Sequence, residues 1–277
     1  MARMVGHVQT VLEGGFADRK AAQAYRLSLR ALWFFFPFGI PFVAFGMLPS
    51  QFSWTGSLVI GLYALTTLGS ELRARSPLKP FLAFALLSAA LFAVEYIGVT
   101  TGVPFGRYAY TDVLGGLVAG VPVAMALAWY VTVVSTWRIA QRLAKRPAGR
   151  NAVRVALLSG ALTVILDVAL EPMAAMITRY WVWEGDRVPT ANYASWFAFS
   201  FAATWLLEKS SGQPEEHPGL YLNGLMVYLM QWVLFALADA VGGQVQPMVV
   251  SAAGLLALGL MFRRRLAVGP VTKGVVV

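Results

Sequence analysis

The sequence contains no cysteine and only two histidines, His7 and His217. Without thiols there is no disulfide framework, no thiolate metal site and no cysteine nucleophile. Two imidazoles, one in the amino-terminal stretch and one in a polar loop, exclude histidine-rich di-iron centres and haem sites with histidine or cysteine ligands. Charge is scarce as well: 13% of the 277 residues are Asp, Glu, Lys or Arg, against 58% hydrophobic residues and a mean hydropathy of +0.65. Such a composition is far from that of a soluble domain and marks an integral membrane protein. The segment before Leu29 is polar and basic with no apolar run, so it reads as a tail or surface helix rather than a cleavable signal.

Apolar sequence is what the chain has in abundance. Runs long enough to span a bilayer cover Leu29–Leu48, Phe52–Leu68, Pro80–Val99, Leu114–Thr136, Val155–Met176, Ala191–Leu207, Leu220–Val241 and Val245–Phe262. The expected fold is an all-α polytopic membrane bundle of about eight helices. Residues 1–28 form a basic tail or surface helix in this reading, 29–262 the transmembrane domain and 263–277 a second tail. Nineteen of the 22 Lys and Arg residues fall on one side of these spans, leaving Arg107, Arg179 and Arg187 on the other. The positive-inside rule then puts both termini in the cytoplasm of a multi-pass inner-membrane protein. The net charge of +9 follows from that orientation and from contact with anionic lipid, so nucleic acid is not expected as a partner.

Against this background the few acids stand out. Asp167 and Glu171 sit four apart in the apolar run Leu162–Pro172, so on a helix they share a face within about 6 Å of each other. An ionised carboxylate in hydrocarbon is costly and two adjacent ones more so; at least one is expected to be neutral or paired across helices. A neutral carboxylic acid is a proton donor. The alternative is a structural polar pair, and for a single such residue the two readings weigh equally. Pro172 deprives the Val168 carbonyl of its usual donor, which predicts a helix opened beside the acids and a protein-lined or watered cavity there. Under the expected topology Glu95, Asp167, Glu171 and Asp239 all lie in the outer halves of their spans, with Asp112 in a loop on the same side.

Aromatic residues accompany the acids. Glu95 is followed by Tyr96 and by a Gly/Pro-rich turn containing Arg107, Tyr108 and Tyr110, and Trp129 lies in the next span. Beyond Pro172 come Trp181, Trp183, Asn192 and Trp196. A second aromatic stretch, Trp33 to Phe42 with Pro37 and Pro41, suits lipid packing better than ligand binding. Acids in an aromatic shell without redox or metal ligands suit proton-initiated chemistry on an apolar substrate. One acid protonates an alkene, aromatic faces stabilise the cation, and a second carboxylate takes a proton from the attacking water.

These residues resemble the CruF-type carotenoid hydratase family, which includes the bisanhydrobacterioruberin hydratases of haloarchaea. The resemblance rests on Glu95-Tyr96-Ile97-Gly98-Val99 with Gly102, Pro104-Phe105-Gly106-Arg107-Tyr108 and Tyr110; on Gly120-Val121-Pro122 with Trp129; on Asp167 with Glu171-Pro172; and on Trp181, Trp183, Val188-Pro189, Asn192 and Trp196. It covers about Glu95 to Trp196. Two positions depart from the family pattern: Glu171 stands where it has Asp, and Asp186-Arg187 where it has Tyr-Gly. The resemblance implies addition of water to the terminal double bond of an acyclic carotenoid end group, giving a tertiary alcohol with no cofactor. Asp167, Glu171 and Glu95 would be catalytic, and Tyr96, Arg107, Tyr108, Tyr110, Asp112, Trp129, Trp181, Trp183, Asn192 and Trp196 would bind substrate. Its implied partners are an acyclic or monocyclic carotenoid, water, the lipid bilayer and other carotenoid enzymes. Rival readings are a membrane prenyltransferase, for which a second acidic motif is missing, a proton-coupled carrier, for which no internal repeat aligns, and a non-catalytic carotenoid-binding protein.

Overall fold

The computed structural model describes residues 2–45, 52, 54–73, 77–144, 151–211 and 217–266. The basic stretch at 145–150, with Pro147 and Gly149, and the end of the second expected tail, 267–277, lie outside the described residues. The fold is all-α. Its helices are α1 (Ala2–Glu13), α2 (Arg19–Ala44), α3 (Thr55–Glu71), α4 (Leu78–Thr101), α5 (Val123–Ala144), α6 (Ala152–Glu171), α7 (Thr190–Ser210), α8 (Pro218–Val241) and α9 (Val245–Leu266). Six of them are long and apolar enough to cross a membrane: α2, α4, α5, α6 with the turn that extends it, α8 and α9. The chain is therefore a polytopic membrane protein. The eight expected spans correspond in order to α2–α9, of which six are candidate spans, and α1, the ninth helix among the described residues, falls in the expected amino-terminal tail or surface helix. Helix α3, at 17 residues, is among those that fall short of a full span.

Helix α5 forms the centre, burying Trp129, Tyr130, Val131 and Val133 against α3, α4, α6 and α8. Helix α6 packs most extensively on α7. Gly160 permits this close approach, because a Cβ there would meet the Phe197 ring at 2.9 Å and its carbonyl oxygen at 3.1 Å. Ends of helices are capped locally: Asp18 accepts from the Lys20 and Ala21 amides, and Asn151 from those of Val153 and Arg154. Helix α1 is fastened to the bundle by Val11 and Leu12, which pack on Tyr221 and Leu222, and by Arg73, which donates to the Leu12 and Gly14 carbonyls.

Two short connections build the end of the bundle that holds the acids. Strand β1 (Tyr108–Tyr110) pairs antiparallel with β4 (Trp181–Trp183), while β2 (Leu117–Val118) and β3 (Val121–Pro122) form a small hairpin between them in sequence. The hairpin corrects the expected span from Leu114. Positive φ at Gly115, Ala119 and Gly120 bends the chain through a hairpin, and α5 starts only at Val123. Helix α6 does open beyond Glu171, passing into a turn of π-helix over Pro172–Ile177, as the missing proline N–H predicts.

Candidate active site

The β1–β4 ladder sets Tyr108 opposite Trp183, Ala109 opposite Val182 and Tyr110 opposite Trp181. Side chains alternate along a strand, so the two tyrosines and two tryptophans share one face while Ala109 and Val182 are exposed on the other. The aromatic face covers the ends of α4 and α6. Tyr108 and Tyr110 donate to Glu95 Oε2 at 2.5 and 2.8 Å, and Trp129 Nε1, from α5, donates to Glu95 Oε1 at 2.7 Å. Across the ladder, Trp181 and Trp183 donate to Glu171 Oε2 at 3.1 and 2.8 Å, and Asn192 Nδ2, from α7, donates to Glu171 Oε1 at 2.8 Å. Each glutamate thus receives two donors from alternate residues of a strand and one from a helix. The local twofold of an antiparallel ladder, running through Ala109 and Val182, relates the two sets.

Asp167 completes the group. Asn192 Nδ2 also donates to its Oδ2 at 3.0 Å, whereas its Oδ1 has no hydrogen-bond partner. Asp167, Glu171 and Glu95 are each at most 3% exposed, and Asp167 lies within the electrostatic influence of both glutamates. Trp129 and Trp196 stack at 4.0 Å between ring centroids, 19° from parallel, and join the α5 donor to α7. Burial, followed by the charge of Glu95, holds the Tyr108 and Tyr110 hydroxyls above the usual phenol range, so both remain donors.

Of the residues singled out in the sequence, the structure brings together Glu95, Asp167, Glu171, Tyr108, Tyr110, Trp129, Trp181, Trp183, Asn192 and Trp196. It does not bring in three others. Tyr96 is 45% exposed and follows Glu95 around the helix onto the outer surface, Arg107 forms an exposed ion pair with Glu184 at 3.7 Å, and Asp112 is exposed in a short 3-10 turn. Sequence reasoning missed the ladder itself. Its signal was present, since Tyr-x-Tyr and Trp-x-Trp both carry the two-residue period of a strand, but each is only three residues long. Tyr193, which lies within electrostatic reach of Asp167, Glu171 and Asp239, carried no signal.

Beside the acids lies an apolar cavity of about 700 Å³ between α2, α3, α5, α6 and α8. Its far side is Phe34, Phe35, Phe38 and Phe42 of α2, all partly exposed on the bundle surface. Its near side includes Leu166, Leu170, Met173, Trp181 and Trp196, while the three carboxylates stand behind this wall. The aromatic stretch of α2, better suited by sequence to lipid packing, therefore also lines an internal space.

The sequence model of a family described as carotenoid biosynthesis protein matches residues 52–258. The chain is similar to the bisanhydrobacterioruberin hydratase of Haloarcula japonica, with 29% identity over 181 residues covering 58% of this chain and 61% of that protein. The matched region thus spans about three-fifths of the length of that relative. No solved structure matches the chain.

Proposed function

The chain belongs to the carotenoid biosynthesis protein family, and we propose that it is a carotenoid hydratase, adding water to the terminal double bond of an acyclic end group. The observation that carries this reading is the unequal provision of donors to three enclosed acids beside an apolar cavity. Glu95 and Glu171 each accept three hydrogen bonds, the surroundings of a carboxylate anion; Asp167 accepts one and keeps an oxygen free. The roles divide accordingly, with Asp167 as acid and Glu171 as base.

In this mechanism the apolar chain enters from the bilayer past the α2 phenylalanines, and its end reaches the tryptophan wall. With this wall parted, Asp167 transfers its proton to the less substituted carbon of the terminal double bond, the π pair forming the new C–H bond and leaving positive charge on the tertiary carbon. The faces of Trp181 and Trp196 stabilise that charge. A water oxygen bonds to the cation while Glu171 takes one of its protons, and the return of that proton from Glu171 to Asp167 restores both groups. Glu95 anchors Tyr108, Tyr110 and Trp129 and so holds the wall in place. The reaction adds one water and needs no net proton.

The wall between cavity and acids is the one observation that favours a non-catalytic carotenoid-binding protein, with the acids as a structural core. One experiment separates the readings: expression in a bacterium accumulating lycopene or gamma-carotene, grown in oxygen-18 water, with pigments analysed by mass spectrometry. Hydratase activity gives a product heavier by one labelled water, and Asp167→Asn lowers its yield about 100-fold or more while pigment still co-purifies with the protein. Pigment retained unchanged by the unaltered chain with both substrates would leave the binding-protein reading standing and overturn this one.

A further inference from the structure

The cavity beside the acids is not apolar throughout. Gln231 of α8 and Thr132 of α5, 8% and 3% exposed, line it among side chains that are mostly Phe, Leu, Val, Ile and Met. Both belong to the end farther from the β1–β4 ladder: the lining residues of α5 run from Met125 down to Thr132, and those of α8 from Phe235 down to Gln231. Leu166 of α6 lines the same end. Tyr63 is there too, but its hydroxyl is enclosed by protein and does not open into the space.

Two hydrogen bonds between helices set the depth of these residues against the acids. Thr163 Oγ1 donates to Thr136 Oγ1 at 3.4 Å, so Asp167 and Thr132, each one turn closer to the ladder along α6 and α5, lie at about the same depth. Tyr228 donates to the Leu162 carbonyl at 2.8 Å, which brings Gln231, about a turn further along α8, near the depth of Leu166, a turn further along α6. Leu166 immediately precedes Asp167. The amide and the hydroxyl therefore stand on the cavity side of α6, at the level where the acid stands behind it.

We propose that Gln231 and Thr132 form a subsite for one hydroxyl group on an otherwise apolar isoprenoid, and that it receives the tertiary alcohol of the product. Polar side chains inside a membrane bundle commonly hold helices together through interhelical hydrogen bonds. Gln231 does not serve that purpose: among the described residues its side chain donates to the Val227 carbonyl of its own helix, at 3.3 Å. One amide hydrogen is used in this way, and the other, with the amide oxygen, is left for a ligand. An alcohol both donates and accepts, and an amide and a threonine hydroxyl each answer both needs. A hydroxyl formed in a cavity of this lining also loses its hydrogen bonds to water unless the protein replaces them. Replacing them on the cavity side of α6 draws the alcohol oxygen away from Asp167, whose proton would reverse the addition. Gln231 and Thr132 bind the product and exchange no covalent bond.

The identity of the alcohol rests on the hydratase reading; the preference for a hydroxyl does not. The test uses the full chain in lipid nanodiscs and two matched polyenes with no terminal double bond to hydrate. One is lycopene with both terminal double bonds saturated by hydrogen, and the other is the same hydrocarbon with a tertiary hydroxyl at each end. Induced circular dichroism of the polyene reports binding, and comparison between variants cancels the different partition of the two pigments into lipid. Gln231→Leu is expected to weaken binding of the diol about tenfold and to leave the hydrocarbon within about twofold. Thr132→Val, which keeps the shape and removes only the hydroxyl, is the variant to use if Gln231→Leu does not fold, and is expected to weaken the diol about threefold. Diol binding unchanged in the variants, or hydrocarbon binding weakened as much as that of the diol, overturns the subsite. Binding of neither pigment by the unaltered chain overturns the subsite and the hydratase reading together. Absence of labelled product with the hydroxyl preference intact overturns the hydratase reading alone.

Discussion

Asn192 divides the acid pair: its one amide nitrogen donates to both Asp167 Oδ2 and Glu171 Oε1, at 3.0 and 2.8 Å. Without it the two carboxyl groups would face each other with no donor between them, and their separate roles would merge. A hydrogen bond to a charged acceptor contributes about 1.5–3 kcal/mol, so Asn192→Ala is expected to slow turnover roughly 10- to 100-fold with little change in pigment binding. Steady-state rates and co-purified pigment check both halves of that statement; equal losses of rate and pigment would assign Asn192 to the binding wall instead. Trp183→Phe keeps an aromatic ring against Tyr108 but removes one of three donors to Glu171. Its expected effect is a loss of stability of about 1.5–3 kcal/mol, read from thermal unfolding in detergent.

At the scale of elements, the cluster depends on how β1 is seated over α4. The chain leaves α4 at Gly102, doubles back through Pro104 and Phe105, and lays Phe105 and Tyr108 over Gly98. A Cβ on Gly98 would lie 2.6 Å from the Phe105 ring and 2.9 Å from the Tyr108 hydroxyl, the same hydroxyl that bonds Glu95. Gly98→Ala is thus expected to cost about 1–3 kcal/mol of stability by overpacking and to lower turnover. Gly61→Ala on α3, where a Cβ meets nothing within 4 Å, is the control and leaves activity intact. The opening of α6 into its π turn has a similar local origin. Pro172 cannot donate to the preceding turn, and the altered path carries the chain from Glu171 to Trp181 and Trp183 so that both indoles point back at the carboxylate.

For the whole molecule, orientation and cohesion are separate questions. By the positive-inside rule the acid cluster is expected toward the outer face, and a sequence without cysteine makes this directly testable. Single-cysteine variants are expected to differ: Glu184→Cys, in the exposed loop beside β4, reacts with a membrane-impermeant thiol reagent in intact cells, and Ser210→Cys, at the end of α7, reacts only after permeabilisation. The reverse pattern would invert the topology. Cohesion at the opposite end from the ladder depends on Glu71 and Arg138, whose side chains are only 10% and 11% exposed; Arg138 Nε donates to Glu71 Oε1 at 2.8 Å, and Arg138 also donates to Gln141. Removing one member leaves a buried charge uncompensated, so Arg138→Leu is expected to destabilise the bundle by about 3–5 kcal/mol, and Glu71→Leu added to it to recover much of that loss. Thermal unfolding of the single and double variants measures this coupling.

The sequence by itself determined that the chain is a membrane bundle and roughly where its apolar helices lie, and it singled out the acids and aromatics that the proposed site uses. Those properties are local: a run of apolar residues, a proline after Glu171, and two acids four apart act through neighbours along the chain. The unequal sharing of hydrogen-bond donors among the acids was decided only by the tertiary structure. Glu95 gains its donors from residues 13, 15 and 34 positions later, and Asp167 and Asn192 are 25 apart. Such pairings depend on where a three-residue ladder closes over two helix ends, and strands that short have too little periodicity to be read from sequence. The same reason separates Tyr96 from Tyr108 and Tyr110. All three are tyrosines close to Glu95 in sequence, but the turn of α4 points the first outward and the ladder points the other two in, because direction is set by the packed backbone rather than by residue type.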